Sequence, residues 1–325
     1  MLDTTPRAAA WKKRKMRSAR RRLFTLASSC EVHGVGLHSG QSARVRLHPA
    51  PTDAAGISFR RGSHAIEARL SSVVSTQLST TLGAPSSSSN NDDTSVSTVE
   101  HLMAALCGLG VRSCVIEIDA PELPVLDGSA APWVEAIHAA GLEAHPAASG
   151  ANLRLTKPVR VEDGDSWAIA VPSISPRLTV GIDFPEHPAI GRQWASWAPP
   201  PPSPQQQQPP QQSTSGPESA TFASSVAPAR TFALAEHLEL MRSRGLIRGG
   251  SLDNALVCDA KAGWLNESGV RFENEPARHK LLDLVGDLAL LPGHALPMCH
   301  IVAHRAGHKL HVALGKKIEA EAIYS

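Results

Sequence analysis

Two hydrophobic periods alternate along the chain and predict a mixture of strands and helices. Residues 42–47 place apolar side chains at every second position, which is the period of a strand with one buried face. Residues 278–291, with the sequence RHKLLDLVGDLALL, instead place apolar side chains three and four positions apart. That is the period of an amphipathic helix. The pattern therefore indicates an α+β protein.

From Phe24 to residue 145 the pattern predicts short strands followed by a helix, a strand and a second helix. The glycine-rich turn GVGLHSG joins two strands, so it differs from a dinucleotide-binding turn, which a helix would follow. The first helix is predicted over 97–110, capped by Ser97 or Thr98 and ended by Gly108 and Gly110. A strand over 113–118 and a helix over 132–142 complete this half.

The second half repeats this order. Strand patterns lead to a predicted helix over 231–246 and a hairpin over 254–266. The helix at 278–291 comes next, and two strands are predicted after it, at 299–304 and 309–315, joined by the tight turn RAGH. The repetition predicts two related α+β domains packed together, with a site between them.

Polar segments divide the chain. We expect a basic leader over 1–23, a first domain over 24–145, a linker over 146–150 and a second domain over 151–325. Residues 84–95 are rich in Ser and Asn, and residues 195–220 are rich in Pro, Gln and Ser, so both predict unstructured surface segments. A Pro-rich segment can also bind SH3 or WW modules.

The basic charge belongs to the N-terminal arm. Residues 1–22 hold nine Lys or Arg and one acid, a balance of +8, so the total of +2 leaves the remainder at −6. An Arg-rich, acid-poor N-terminus is typical of an organelle transit peptide. A disordered tail and a nucleic-acid-binding arm are the alternatives, but no nucleic-acid-binding motif follows, so no nucleic-acid partner is expected. We predict a mitochondrial protein, with the cytoplasm or a plastid as alternatives.

Cysteine use and hydropathy exclude two further classes. The five cysteines are scattered and form no Cys-x-x-Cys pair, so neither a disulfide framework nor a thiolate zinc site is predicted. No apolar run reaches the ~18–20 residues of a membrane-spanning helix. With 42% hydrophobic residues the chain can build real cores.

The helix at 278–291 carries the first candidate chemistry. His279, Asp283 and Asp287 are four residues apart, so they stack along one side of the helix. An imidazole and a carboxylate one turn apart can bind one zinc ion. A solvated or hydrogen-bonded helix face is the alternative interpretation.

The adjacent pair Glu100 and His101 opens the helix predicted at 97–110. Because Glu100 lies three residues after Ser97, a capping box is one explanation of the pair. The other is chemical: His101 can bind a metal, and Glu100 can act as the base that deprotonates water.

Together, His101, His279 and Asp283 supply two imidazoles and one carboxylate. Three protein ligands with an open fourth position are typical of catalytic zinc sites. Asp287 is a candidate for orienting a histidine, and His308 is the candidate general acid, since an imidazolium beside a carboxylate can protonate a leaving amine. Lys280 can neutralise a phosphate or polarise a carbonyl, or can be a solvated surface lysine.

Six segments, in order, resemble the UDP-3-O-acyl-N-acetylglucosamine deacetylase family, the zinc hydrolases of lipid A biosynthesis. The resemblance covers nearly the whole chain from Phe24. It implies two similar α+β domains, each of small sheets packed on a pair of helices, with the active site between the domains. The segments are GVGLHSG, STVEHLMAALCGLG, LDGSAAPWV, ARTFALAEHLELMRSRGLIRGGSLDNA, RFENEPARHKLLDLVGDLALL and AHRAGH.

The resemblance also implies residue roles. It makes His101, His279 and Asp283 the zinc ligands, Glu100 the general base, and His308 the general acid supported by Asp287. Thr231 corresponds to the residue that stabilises the oxyanion, and Phe232, Lys280 and His38 to substrate contacts. The family's acyl-chain passage corresponds to about 250–268, centred on Ala255–Leu265, where Leu256, Val257 and Trp264 are expected to line it.

The implied reaction is removal of the N-acetyl group from UDP-3-O-acyl-N-acetylglucosamine, giving the free amine and acetate. The alternatives are a zinc amidohydrolase for another N-acyl substrate and a non-catalytic binding protein on the same fold. A His₂Asp site accepts Zn²⁺ or Fe²⁺. We expect a monomer. The leader and the two polar segments depart from a typical bacterial member and suggest an organellar protein of a plant or alga.

Overall fold

Two five-stranded sheets with the same topology organise the fold of the computed structural model. The structure describes residues 24–51, 55–84, 94–145, 153–200 and 221–324. The elements of the first unit are β1 Phe24–Leu26, β2 Cys30–Val35, β3 Ser42–Pro49, β4 Ile57–Arg61, β5 His64–Glu67, β6 Val73–Ser75, β7 Thr81–Gly83, β8 Ser95–Val96, α1 Glu100–Leu109, β9 Cys114–Ile118, α2 Ala131–Ala140 and β10 Leu142–Ala144.

The second unit follows the same order, with additional elements between its last sheet hairpin and its long helix. Its elements are β11 Leu153–Arg154, β12 Val159–Asp163, β13 Ser166–Pro172, β14 Arg177–Phe184, β15 Gly191–Trp197, α3 Phe222–Ser225, β16 Phe232–Leu234, α4 Ala235–Ser243, β17 Leu256–Asp259, β18 Gly263–Trp264, α5 Glu275–Leu288, β19 Cys299–His304, α6 His308–Glu321 and β20 Ile323–Tyr324.

The strand orders of the two large sheets correspond element by element. The first sheet has the order β2-β3-β9-β4-β5 and the second has the order β12-β13-β19-β14-β15. Each sheet contains one parallel pair of strands, β4 with β9 in the first sheet and β14 with β19 in the second. The other pairs in both sheets are antiparallel. Helices α1 and α5 therefore occupy equivalent positions, as do α2 and α6. The expected α+β fold of two similar sheet-and-helix units is confirmed.

Alternating burial explains the strands. In β3 the side chains of Ala43, Val45 and Leu47 are buried, while the side chains that alternate with them, from residues 42, 44 and 46, are exposed. The inward-facing residues of both sheets join the residues of α1, α2, α5 and α6 in one continuous apolar core. Because each sheet buries only one face, the helices cover that face and lie in the interior of the molecule. Among the described residues no helix is both long and apolar enough to cross a membrane.

Helices α1 and α5 pack directly against each other at a close approach of their backbones. A Cβ atom at Gly286 would lie 2.0 Å from the carbonyl oxygen of Glu100, so only glycine fits this position of α5. The crossing places the first turn of α1, with Glu100 and His101, beside the middle of α5, with Asp283 and Asp287. The two units thus bring their polar residues together.

Gly286→Ala is expected to destabilise the protein, because the added methyl group must push α1 away from α5. The cost of such overpacking is about 1 to 3 kcal/mol or more. Thermal unfolding checks this, with Gly307→Ala as the matched control. A Cβ at Gly307 would meet no atom within 4 Å, and its backbone is extended. An equal fall in Tm for both variants would contradict the close packing.

The strand predicted at 309–315 was wrong, because these residues belong to α6. Leu310, Val312 and Leu314 are all buried, and their spacing imitates a strand. The buried set also includes His311 and Ile318, with the spacings of three and four that a helix requires. His308 is accordingly the first residue of a helix instead of a turn residue.

Three other boundaries needed correction. The helix predicted over 231–246 begins only at Ala235, because Phe232–Leu234 forms strand β16 and pairs with β17. Strand β15 continues to Trp197, so the polar segment expected from 195 starts later. The helix predicted at 278–291 begins earlier, at Glu275, with Pro276 in its first turn, where proline is favoured.

The predicted cap of α1 was also wrong. Val99 is the N-cap and makes no side-chain cap hydrogen bond. Ser97 instead donates to the Pro121 carbonyl at 3.3 Å, and Thr98 donates to Glu122 at 3.0 Å. The first turn of α1 therefore has no capping box, and the Glu100 carboxylate is directed elsewhere. The leader at 1–23, the linker at 146–150, most of the segment at 84–95 and residues 201–220 lie outside the described residues.

Candidate metal centre and active site

Three buried side chains from the two crossing helices point towards one another. The Nε2 atom of His101 on α1 lies 3.8 Å from Asp283 Oδ1, and the Nε2 atom of His279 on α5 lies 3.4 Å from the same oxygen. The two imidazole rings meet edge to face, with centroids 5.0 Å apart. These atoms all lie within 4.8 Å of one another, so one metal ion can bind them together. The sequence analysis named all three residues.

The hydrogen bonds of this cluster suit a divalent cation. The Nδ1 atom of His279 donates to the Ala229 carbonyl at 3.0 Å, which leaves its Nε2 lone pair directed at the cluster. Burial lowers the pKa of His279 and lowers that of His101 to about 3, so both imidazoles are neutral, as metal ligands must be. Asp283 Oδ1 is buried and has no hydrogen-bond partner among the described residues. A bound cation would satisfy this oxygen.

The other oxygen of Asp283 accepts a hydrogen bond from Lys280. The Lys280 Nζ atom lies 2.9 Å from Asp283 Oδ2. Burial opposes the charge on Asp283, but His279 and Lys280 outweigh it and hold the pKa of Asp283 well below its usual range. Burial likewise opposes the charge on Lys280, and Asp283 outweighs it, so the pKa of Lys280 is raised. Asp283 is therefore a carboxylate with one oxygen free for a metal.

A buried ion pair braces the segment that orients His279. Glu275, the first residue of α5, accepts hydrogen bonds at 2.9 Å from both the backbone N and the Nε of Arg230. The pair is almost fully buried. The pair fixes the position of Arg230 in the chain. On one side of Arg230, the Ala229 carbonyl accepts the hydrogen bond from His279. On the other side, the backbone N of Thr231 donates a hydrogen bond to the Gly128 carbonyl. One brace thus positions a candidate ligand and a candidate oxyanion donor.

Glu100 lies beside the three-residue cluster with one oxygen free for chemistry. Its Oε2 atom accepts a hydrogen bond from the backbone N of Thr80 at 3.0 Å. Desolvation raises its pKa to about 7, although the nearby His308 acts in the opposite direction. A carboxylate with a pKa near neutrality is suited to general base catalysis.

His308 and Asp287 form the second buried group of the site. His308 Nδ1 donates to Asp287 Oδ2 at 2.8 Å, and its Nε2 atom lies 3.9 Å from Glu100 Oε1. Burial opposes the charge on His308, but Asp287 and Glu100 outweigh it and raise the pKa of His308 to about 9. Burial also opposes the charge on Asp287, but His308 outweighs it, so its pKa falls to about 2. His308 is therefore a protonated imidazolium at neutral pH.

The site opens into a larger cavity of about 540 Å³. A small polar pocket holds Glu100 and the metal-ligand cluster, and it shares Thr231, Lys280, His38 and His308 with the larger cavity. Phe232 also lines the larger cavity, and its ring centre lies 5.6 Å from Lys280 Nζ. The structure thus brings the ten residues predicted as metal ligands, catalytic groups or substrate contacts to one site or its immediate support.

Many apolar side chains line the larger cavity. Of the three residues expected to line an acyl-chain passage, Val257 lines this cavity and the other two do not. Leu256 is fully buried in the core behind β17, and Trp264 does not line the cavity. Since successive strand residues face opposite sides, Leu256 and Val257 cannot both face it. Other apolar residues of the lining include Leu238, Met241, Ile247, Leu252 and Leu265.

Glu122 holds the glycine-rich turn that carries His38. Its carboxylate accepts hydrogen bonds from the backbone N of His38 at 2.9 Å and of Ser39 at 2.7 Å. The Nδ1 atom of His38 is buried and has no partner within the described part of the chain. Burial lowers the pKa of His38, which favours the neutral ring, and His38 lines both the small pocket and the larger cavity.

The supporting residues were not predicted from the sequence. Thr80, Glu122 and His311 form hydrogen bonds with site residues. Arg230 and Glu275 pair with each other next to Ala229 and Thr231. The sequence offered one signal: Glu275 lies four residues before His279 and therefore on the same side of the helix. The hydrogen bonds of Thr80, Glu122 and His311 join residues far apart in sequence, so no local spacing predicts them.

The chain matches a known protein family over most of its length. The family profile described as "LpxC: UDP-3-O-acyl N-acetylglycosamine deacetylase" matches residues 24–320. The chain belongs to the LpxC family. Members of the family are hydrolases of an amide bond, and the resemblance noted in the six sequence segments is confirmed.

Cyanobacterial and plant proteins are among the similar LpxC-family members. A protein of Thermosynechococcus vestitus, named UDP-3-O-acyl-N-acetylglucosamine deacetylase, is 45% identical over 303 residues, covering 92% of this chain and 94% of its own length. One of Nostoc with the same name is 44% identical, covering 91% and 98%. An Arabidopsis thaliana protein named "Probable UDP-3-O-acyl-N-acetylglucosamine deacetylase 1, mitochondrial" is 40% identical, covering 90% and 87%.

Proposed function

We propose that this LpxC-family chain is a zinc-dependent deacetylase of UDP-3-O-acyl-N-acetylglucosamine. The product would be UDP-3-O-acyl-glucosamine, formed with acetate at an early step of lipid A biosynthesis. The observation that carries the proposal is the set of His101 Nε2, His279 Nε2 and Asp283 Oδ1 around one point, beside the buried Glu100 and the hydrogen-bonded pair of His308 and Asp287. The names of the cyanobacterial relatives support the substrate.

The three ligands suit zinc. A zinc ion held by them would polarise the acetamide carbonyl and lower the pKa of water. Two imidazole nitrogens and one carboxylate oxygen, with space beside them in the pocket, match the three-ligand pattern of catalytic zinc sites. The partnerless Oδ1 of Asp283 supports the same assignment.

The remaining residues supply proton transfers and charge stabilisation. Glu100 Oε1 takes a proton from the attacking water as the water oxygen bonds to the acetamide carbon. Thr231 stabilises the oxyanion that forms on the carbonyl oxygen. His308 Nε2 then donates its proton to the glucosamine nitrogen as the carbon–nitrogen bond breaks. The amine leaves neutral, and the acetyl group leaves as acetic acid, which loses its remaining hydroxyl proton to solvent and becomes acetate. Glu100 then releases the proton that it took from water, and His308 is reprotonated.

The cavity supports the substrate class. Its apolar lining accommodates an acyl chain, and Lys280 and His38 present polar groups where the cavity meets the small pocket. The test compares turnover of UDP-3-O-acyl-N-acetylglucosamine with that of N-acetylglucosamine and UDP-N-acetylglucosamine. The proposal expects deacetylation of the acylated nucleotide alone. Equal turnover of the simple sugars would support an amidohydrolase for other N-acyl substrates.

Turnover is expected to depend on pH in a bell shape. It rises through pH about 7 as Glu100 loses its proton and becomes a base, and it falls through about 9 as His308 loses the proton that it must donate. Asp287→Asn removes the charge that raises the pKa of His308, so the alkaline limb should move down by roughly 1 to 3 units. Profiles of kcat/KM check this; an unmoved alkaline limb would contradict the assignment of His308.

We infer a mitochondrial location. The basic, acid-poor residues 1–22 support it, as does the name of the Arabidopsis relative. A fluorescent protein fused after residue 23 should enter mitochondria, and the same fusion with its arginines and lysines replaced by glutamine should remain outside. Import of both fusions would contradict an address carried by the basic charge.

A further inference from the structure

His311 is a second histidine on the Asp287 carboxylate, and the proposed reaction does not use it. It follows His308 by one turn of α6. Its Nδ1 atom donates to Asp287 Oδ2 at 2.8 Å, the same oxygen and the same distance as the bond from His308 Nδ1. The ring is 0% exposed, so it does not contact a substrate.

Packing alone does not explain this residue. The Nε2 atom of His311 is buried and has no hydrogen-bond partner among the described residues. A buried acceptor without a partner lowers stability, and native structures keep such groups where activity depends on them. Leu310 and Leu314 on the same helix are buried without this cost. A leucine at 311 would therefore serve the core better than a histidine.

The bonds of Asp287 show what the histidine changes. Its Oδ1 atom accepts a hydrogen bond from Thr80 Oγ1 at 2.6 Å, and its Oδ2 atom accepts from both histidines. Three donors fix the plane of the carboxylate, and the two on Oδ2 divide the negative charge of that oxygen between them. The strength of the bond from Asp287 to His308 therefore depends on His311.

We propose that His311 is a positioning residue for the proton donor: it fixes Asp287 and weakens the hold of Asp287 on the His308 proton. The inference rests on the proposed role of His308. A proton held less tightly is transferred more readily to the leaving nitrogen. The other charged groups that act on His308 are Glu100 on α1 and Asp283 on α5. Within the described part of the chain, neither forms a hydrogen bond or an ion pair with His311.

Two substitutions at 311 separate positioning from packing. His311→Leu fills the site but removes the donor. His311→Asn leaves more empty volume but places an amide nitrogen near the position of Nδ1. The proposal expects the alkaline limb of kcat/KM to move up by roughly 0.5 to 1 pH unit in His311→Leu, a part of the ~1 to 3 units that an opposite charge contributes. Its kcat should fall several-fold with KM little changed, and His311→Asn should restore both.

If His311 has a purely structural role, His311→Leu should be the less damaging of the two substitutions. Tm would then fall more in His311→Asn than in His311→Leu, and the alkaline limb would stay in place in both; that result would overturn the proposal. Titration of His308 by ¹⁵N-histidine NMR, assigned with His308→Gln, makes the same comparison without turnover. If the wild-type protein fails to deacetylate the nucleotide, the proposed function falls. An upward shift of the His308 titration in His311→Leu would still support the role of His311, and no shift would overturn it.

Discussion

Replacing Glu100 with Gln is expected to lower kcat about 10²- to 10⁴-fold while the protein keeps its metal. The amide is nearly the same size and retains an oxygen that can accept the hydrogen bond from Thr80, so the local structure should persist. It cannot take a proton from water. Because the Thr80 hydrogen bond can persist in the variant, the fall in kcat measures the loss of the proton-accepting carboxylate and not the loss of a structural contact.

Metal content and Tm measured beside kcat make this result decisive. Glu135→Gln, on the exposed side of α2, removes the same charge far from the site and should turn over like the wild type. If Glu100→Gln instead unfolds at lower temperature while its folded fraction turns over normally, Glu100 is a structural residue and not the base.

Asp283→Ala should abolish both metal retention and turnover. It removes one of three ligands and leaves the Lys280 ammonium facing two imidazoles without the carboxylate that balances it. Metal affinity should fall at least about 100-fold, more than the loss typical for a residue that only orients a ligand. Turnover should fall about 10³-fold or more, since a Lewis acid contributes several kcal/mol.

Two controls assign the loss to coordination. Asp119→Ala removes a surface carboxylate that pairs with Arg44 and should change neither quantity. Lys280→Ala removes the partner of Asp283 but leaves all three ligands, so it should retain metal while its turnover falls. Equal metal content in the wild type and in Asp283→Ala, measured by elemental analysis after dialysis, would rule out Asp283 as a ligand.

The sequence predicted the residues of the site better than the elements that carry them. His279, Asp283 and Asp287 are four residues apart, so any helix there places them on one side, and α5 does so. Glu100 and His101 are adjacent and reach the same pocket from α1. Helical spacing is a local property, which is why these predictions depended on little else.

The predictions that were wrong concern residues whose conformation and partners are determined by tertiary packing. Leu310, Val312 and Leu314 alternate like a strand, but α6 buries them against the second sheet and α5, together with His311 and Ile318. Ser97 was a good cap by sequence, yet it donates to the Pro121 carbonyl, a contact that only the fold creates. The three donors of Asp287, from residues 80, 308 and 311, could not be assembled from spacing for the same reason.

Zinc-dependent deacetylation is tested most directly by the metal content of protein lacking residues 1–22, measured together with its deacetylation of UDP-3-O-acyl-N-acetylglucosamine. We expect about one zinc per chain, bound by His101, His279 and Asp283. Turnover should stop when a chelator removes the zinc and return when zinc is restored. Protein that deacetylates the nucleotide at full rate without bound metal, or that binds zinc and never releases acetate from it, would contradict the account.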